Sequence, residues 1–444
     1  MVEKGMSEEG VRILKYLLEE DSEVEFRIRT GTECNRKGFG RVELLDAAGK
    51  PLPGGRVRLR QTGSEFKFGC NAFMVDQFPE AEQNEAYEQT FAAVFNHAVI
   101  PFYWSDLEPE EGKPRFERHS PPIYRRPPPD RVLEFCDRFG LIPKGHPLCW
   151  HQFLPKWIPT TVAGFRSALD RRMRAIAARY ADRIHIWDTV NEAQTRFPLL
   201  RPDIPELGDG YVDYAFRRAA ELFPDSQLIY NDDRAWWSFQ GDNTASFLLA
   251  QRLLEHGFRL GGFGVQYHMF DTMLQEAEVP LRPRNLLAVL DLFGKLGVPV
   301  NLSEVSVISR RSLGDGDRFQ ELATEKLYRL WFSHAAVEGI TWWNLVDGTA
   351  AYAPPGSEEG ENRLRAGLVN YDFTPKPAYK VLRRLIREEW RTETEINFVP
   401  GGDNRFHGFY GDYDVEISTD GGLVRRKLQL SKGARNVFLF RLEK

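Results

Sequence analysis

Apolar and polar residues along the chain fall into three successive textures. In residues 1–22, Val11, Ile13, Leu14, Leu17 and Leu18 share one helical stripe, which predicts a short amphipathic helix. Residues 24–61 alternate with period two in V-E-F-R-I-R-T, G-R-V-E-L-L-D and G-R-V-R-L-R-Q-T. The Gly/Pro cluster A-G-K-P-L-P-G-G separates the last two, so three strands are predicted. From residue 66 short apolar runs alternate with amphipathic helices. The runs are 67–71, 96–101, 141–146, 184–192, 226–232, 261–268, 298–304 and 339–346. The helical stretches include 80–95, 162–181, 209–223, 285–297, 323–339 and a final 376–390. Strands this apolar are not edge strands, and eight βα repeats predict a closed (β/α)8 TIM barrel. An open doubly wound sheet is the alternative. It is disfavoured because no G-x-G-x-x-G follows the first strand and G-x-x-x-x-G-K-[ST] is absent. Residues 394–444 return to period two, in T-E-I-N-F-V-P, R-F-H-G-F-Y-G, Y-D-V-E-I-S-T, L-V-R-R-K-L-Q-L-S and N-V-F-L-F-R-L. Each terminal group is too thin for its own core, so the two are expected to share one accessory β-sandwich. The expected division is 1–65, 66–392 for the barrel, and 393–444.

In such barrels the reacting groups project from the C-terminal strand ends. The third strand ends at His146, followed by Trp150 and His151. The fourth ends in Asn191 and Glu192, and the fifth in Asn231 and Asp232. The sixth carries Gln266 and His268, the seventh Glu304, and the eighth Trp342, Trp343 and Asp347. Two carboxylates across one mouth suit glycoside cleavage. One must be protonated to serve the leaving oxygen, and the other ionised to attack. At roughly 5–5.5 Å apart the first ionisation raises the second pKa and configuration is retained. Amides and imidazoles would bond sugar hydroxyls, and indoles would stack on pyranose faces. Each residue alone has an ordinary structural explanation; their coincidence at one end of one barrel carries the reading.

Composition narrows the partners. Lys plus Arg number 59 and Asp plus Glu 64, a net charge of −5, so no positive field exists to recruit nucleic acid. No apolar run is long enough to cross a membrane as a helix. The four cysteines, Cys34, Cys70, Cys136 and Cys149, form no C-x-x-C pair and are expected as free thiols. The N-terminal stretch has no apolar leader region, so the chain is expected to be cytoplasmic or secreted with its leader removed. A monomer acting on a polysaccharide or oligosaccharide, without metal or cofactor, is the expectation.

Several motifs together resemble glycoside hydrolase family 10, the retaining endo-β-1,4-xylanases. They are W-D-T-V-N-E (187–192), H-P-L-C-W-H with L-P-K-W (146–157), G-V-Q-Y-H (264–268), N-L-S-E (301–304), G-I-T-W-W (339–343) and F-T-P-K-P-A-Y (373–379). L-I-Y-N-D (228–232) and W-S-D-L-E-P-E-E-G (104–112) fit as well. The resemblance covers about residues 66–390. It implies Glu192 as acid/base and Glu304 as nucleophile, cleaving β-1,4-xylosidic bonds by double displacement. It further implies that His146, Trp150, Asn191, Gln266, His268 and Trp343 line the sugar pocket, with Trp104 contributing, and that Asn191 bonds the sugar 2-hydroxyl.

The departures matter too. The family's E-N-x-x-K-W at the end of strand two is here Val99, Ile100, Pro101, Phe102, Tyr103, Trp104. Phe153 stands for a Gln, Ser306 for an Asp, and Ala351 for a second loop Trp. The non-reducing-side region is therefore expected to be narrower and more apolar, with Phe102, Tyr103 and Phe153 beneath the Pro-rich loop 120–130. Three alternatives stay open. One is a related β-glycan hydrolase with shifted specificity. Another is a catalytically weak carbohydrate-binding protein. The third, a metal-dependent hydrolase, lacks both H-x-H after the first strand and H-E-x-x-H. The terminal sandwich is expected to brace the barrel. The other option is a sugar platform made of Phe406, Phe409, Tyr410 and Tyr413.

Overall fold

A computed structural model describes residues 5–194, 210–233, 236 and 244–442. Helix α1 (Glu8–Leu17) starts where the Ser7 hydroxyl accepts from the Gly10 N–H, and it buries Ile13, Leu14 and Leu17. The next segment corrects the alternation reading. Residues 24–30 are not a strand but part of α2 (Ser22–Arg36). Asp21 decides the matter locally: its carboxylate accepts from the N–H groups of Glu23 at 3.0 Å and Val24 at 3.2 Å. Glu23 and Glu25 add negative charge to the first turn, where the helix field favours it. Val24 and Ile28, four residues apart, are buried, while Phe26 between them is 56% exposed. The strands β1 (Lys37–Leu45) and β2 (Gly55–Gln61) follow as expected.

The barrel strands are β3 (Lys67–Asn71), β4 (His97–Pro101), β5 (Ile142–His146), the two-residue β6 (Cys149–Trp150), β7 (Ile186–Asn191), β8 (Gln227–Asp232), β9 (Gly262–His268), β10 (Val300–Ser306) and β11 (Val337–Trp342). All pair in parallel, with β11 returning to β3. The cylinder closes where β5 meets β7 at Gly145 and Trp187. A Cβ at position 145 would lie 2.0 Å from the Trp187 ring, so glycine is what lets the indole cross the seam. Around the strands run α3 (Ala81–Ala92), the short α4 (Trp104–Leu107), α5 (Pro129–Phe139), α6 (Val162–Tyr180), α7 (Tyr211–Leu222), α8 (Ala245–Glu255), the short α9 (Asp271–Gln275), α10 (Pro283–Gly294), α11 (Gly316–Ser333) and α12 (Pro377–Arg384). Asp209, the first residue of one expected helix, lies outside the described residues. All four cysteines are free thiols, Cys34 exposed and the others buried.

The remaining strands are β12 (Glu393–Phe398), β13 (Arg405–Phe409), β14 (Gly411–Thr419), β15 (Gly422–Leu430) and β16 (Val437–Arg441). They join β1 and β2 in two sheets, β13-β1-β16 and β12-β2-β14-β15. Val57 of the central β2 pairs with Ile396 on one side and Ile417 on the other. Val42, Leu44, Val57, Leu59, Phe406, Tyr413 and Leu430 are among the buried residues between the sheets. Both ends of the chain thus build one sandwich. Phe406, Phe409 and Tyr413 are buried, so these aromatics form no exposed platform.

The sandwich sits against the N-terminal ends of barrel strands β3 and β11. Phe409 meets Phe332, and Trp390 stacks on Phe332 with centroids 3.9 Å apart. At the same junction the buried Arg36, which ends α2, donates to the carbonyls of Phe332, His334 and Val337. These carbonyls lie at and beyond the C-terminus of α11, where a cation is electrostatically favoured. Helix α2 packs against α11, and its last residue delivers this guanidinium.

The closure seam gives a test. Gly145→Ala should destabilise the protein by about 1–3 kcal/mol, the cost of overpacking a rigid core. Thermal unfolding should register this as a clear drop in Tm. An unchanged Tm would show that the Trp187 ring yields freely and that the seam does not depend on glycine.

Candidate active site

The C-terminal strand ends open into a cavity of about 700 Å3. His146, Trp150, Asn191, Glu192, Gln266, His268, Glu304 and Trp343 all line it. Trp104 does not. It is 4% exposed, packs against Trp157 and Phe165 under the Arg172 guanidinium, and donates its indole N–H to Glu108 at 3.0 Å. Its place at the start of α4 turns it toward α6 rather than the mouth. Trp342 is likewise buried, donating to the Ala366 carbonyl.

Both glutamates stand where the ladder is irregular. β7 slips register against β8 between Asp188 and Val190, and β10 slips against β9 and β11 around Leu302–Val305. Such bulges re-aim side chains next to active sites. Glu192 itself has φ 51°, left-handed and costly for a residue with a Cβ. Its N–H is tied to the Asn231 carbonyl at 2.8 Å.

The carboxylates are held by different partners. Glu304 Oε1 accepts from Asn231 Nδ2 at 3.0 Å and Oε2 from His268 Nε2 at 3.3 Å. Asn231 Nδ2 also reaches Asn191 Oδ1 at 2.7 Å, and the Ser303 hydroxyl donates to Asn231 Oδ1. Gly264 makes room for this amide: a Cβ there would lie 2.3 Å from Asn231 Oδ1. Glu192 Oε1 accepts from Gln266 Nε2 at 3.0 Å. Burial and the neighbouring charge of Glu304 push the Glu192 carboxyl up to about 8, against the downward pull of Gln266. Asp233 and Asp232 add to the upward push. Asp232 is itself raised to about 7 by burial, despite accepting from Tyr230.

Behind the carboxylates His146 places Nε2 4.0 Å from Glu304 Oε1 and donates Nδ1–H to Asp188 Oδ2 at 2.7 Å. Lys144 pairs with the same oxygen at 2.9 Å. Burial alone would raise the Asp188 carboxyl, but Lys144 and His146 outweigh it and hold it below the usual range. His268 finds the Ser306 hydroxyl at 2.9 Å from Nδ1, where the family pattern has a carboxylate. Phe270 stacks on the His268 ring at 4.9 Å. Among the buried polar atoms of residues lining the cavity, Trp150 Nε1 and Asn191 Nδ2 have no acceptor among the described residues. Both are N–H donors available to a hydroxylated ligand.

The cavity wall beside β3 and β4 corrects one expectation. Phe73, Val99 and Tyr103 do form an apolar cluster with Trp150, Phe153 and Trp343 packed on it. Phe102, however, points away and packs on Tyr180 and Trp187. The Pro-rich loop adds charge instead of apolar surface, because Arg125 and Arg126 both line the cavity. Tyr352, 79% exposed, stacks on Phe153 at the rim. The sequence carried one signal for the arginines, the pair R-R set among prolines after the second strand, but nothing in its pattern gave their direction.

Comparison with known proteins gives a consistent picture. The chain is 26% identical over 410 residues to the anti-sigma-I factor RsgI6 of Acetivibrio thermocellus, covering 90% of this chain and 47% of that protein. It is 24% identical over 394 residues to endo-1,4-beta-xylanase 2 of Arabidopsis thaliana, covering 86% of this chain and 32% of that one. The chain thus spans half or less of these two relatives. Among solved structures, native xylanase 10B of Thermotoga maritima matches with TM-score 0.57 and 25% identity, over 73% of this chain and 96% of that one. Xylanase 10B of Thermotoga petrophila, solved with xylobiose, matches with TM-score 0.58 and 24% identity, over 73% and 95%. The sequence model of glycosyl hydrolase family 10 matches residues 62–385, from just before the first barrel strand to the end of the last helix, and the chain belongs to that family.

Proposed function

We propose that this protein hydrolyses β-1,4-xylosidic bonds in xylan or xylo-oligosaccharides, with retention of configuration. The observation that carries the reading is the unequal pair of glutamates in one cavity. Glu192 keeps its proton to about pH 8 because it is buried beside Glu304. Glu304 has a donor on each carboxylate oxygen, as an anionic nucleophile requires. In the first step Glu304 attacks the anomeric carbon while the Glu192 proton passes to the departing glycosidic oxygen. A glycosyl ester on Glu304 results. In the second step Glu192, now a carboxylate, takes a proton from the water that attacks this ester. The product keeps its configuration and both groups return to their starting states.

The surrounding residues have matching tasks. Trp150 and Trp343 offer indole faces and, with His146, Gln266 and His268, line the subsite at the cleaved bond. Asn191, whose Nδ2 has no acceptor among the described residues, stands ready for the sugar 2-hydroxyl. A hydrogen bond there that strengthens as positive charge builds on the ring stabilises the transition state. Retention of both glutamates, with their partners in place, supports a hydrolase over a sugar-binding protein that has lost turnover.

Two experiments check these roles. Glu304→Ala should abolish turnover on every substrate. Glu192→Ala should impair natural oligosaccharides far more than activated aryl xylosides, whose leaving groups need no proton. Azide should rescue the latter variant and yield a retained-configuration glycosyl azide. Equal loss on both substrates without rescue would refute the assignment. The pH profile gives the second check. Because the raised pKa belongs to the group that must be protonated, kcat/KM should hold up to neutral pH and fall above about pH 8. An alkaline limb that persists unchanged in Glu192→Ala on activated substrates would assign the limb to another group.

A further inference from the structure

The cations at positions 125 and 126 take no part in the two steps above. Their loop is rigidly held. Arg115, buried beneath it, donates to the carbonyls of Asp106, Pro121 and Arg126. Arg126 lies over the Tyr103 ring, Cζ 3.7 Å from its centre, and Asp106 meets its charge at 2.9 Å. Arg125 is in a different position. Its backbone has φ 61°, a left-handed conformation disfavoured for a residue with a Cβ. Gln77 holds it there, accepting from the Arg125 N–H at 3.1 Å. The side chain is 4% exposed and lines the cavity. One Nη donates to the Thr349 carbonyl, while Nε has no acceptor among the described residues. Among the described residues no carboxylate forms an ion pair with it. Glu361, on the same cavity wall, is exposed and acts on it only at a distance.

A buried guanidinium without a counter-ion is strongly disfavoured, yet here a strained backbone directs one into a substrate cavity. We propose that Arg125, with Arg126 beside it, binds a carboxylate carried by the substrate, namely a uronic acid substituent on the xylose chain. A carboxylate is planar and accepts two parallel N–H groups of a guanidinium, a match that a neutral hydroxymethyl group lacks. The Phe73, Tyr103 and Phe153 rings around the arginines supply apolar contact for the acidic sugar's ring. Tyr103 also fixes the location. On one side it carries Arg126, and on the other its ring meets His146, the neighbour of Glu304. The acidic sugar therefore sits one aromatic ring away from the reaction centre, on the side of β3 and β4. This assignment rests on the hydrolase reading above.

The test compares a xylotetraose bearing one glucuronic acid with the same compound after reduction of its carboxyl to hydroxymethyl. Wild-type kcat/KM should favour the acid at least tenfold. In Arg125→Gln the ratio should collapse toward one, and Arg125→Lys should restore part of it. A wild-type ratio near one overturns the proposal, even if the variants fail to fold. A ratio unchanged in folded Arg125→Gln also overturns it, leaving Arg125 as a loop brace. If neither compound is cleaved, calorimetry on the Glu304→Ala protein reads the same ratio as binding. A tenfold preference without turnover keeps the arginine assignment and removes the hydrolase reading. Equal binding, or binding of neither, overturns the arginine assignment.

Discussion

Two like charges cannot both be ionised in one desolvated cavity, and the mouth of this barrel is built around that constraint. Glu192 and Glu304 face the same space, and the electrostatic cost falls on Glu192. The asymmetry comes from the partners. Glu304 has an amide and an imidazole on its two oxygens, whereas Glu192, which accepts from Gln266, is buried beside Glu304 with two further acids nearby.

Much of the fold serves to hold that difference. Bulges in β7 and β10 and the left-handed backbone of Glu192 fix where the carboxylates point. Asn231 links strands β7, β8 and β10 through a single amide that touches both Asn191 and Glu304, and Gly264 leaves the space for it. Asp188, clamped by Lys144, fixes the orientation of His146. At the opposite end of the barrel the sandwich, Trp390 and Arg36 brace the strand starts, so rigidity is supplied from below and chemistry occurs above.

Legibility in the sequence followed burial. Barrel strands are buried on both faces and read as apolar runs, so eight of the nine were visible and only the two-residue β6 was not; of the nine site residues that the family resemblance implied, all but Trp104 line one cavity. The errors arose where local pattern and tertiary context diverge. Residues 24–30 alternate like a strand, but the same letters place Val24 and Ile28 four apart, and Asp21 tips the balance to helix. Trp104 lies next to the mouth in sequence yet faces α6, a direction set by α4 alone. Arg125 and Arg126 come from a Pro-rich loop whose path depends on Arg115, Gln77 and Thr349, contacts that no periodicity encodes.

The central claim is that Glu192 holds its proton because of burial and Glu304 together. The direct measurement is a carbon-13 NMR titration of the Glu192 carboxyl in the wild type and in Glu304→Gln. The account predicts titration near pH 8 in the wild type. In the variant the midpoint should fall but stay above the ordinary glutamate value of about 4.3, because burial remains. A wild-type midpoint at the ordinary value, or one unmoved by neutralising residue 304, would contradict it.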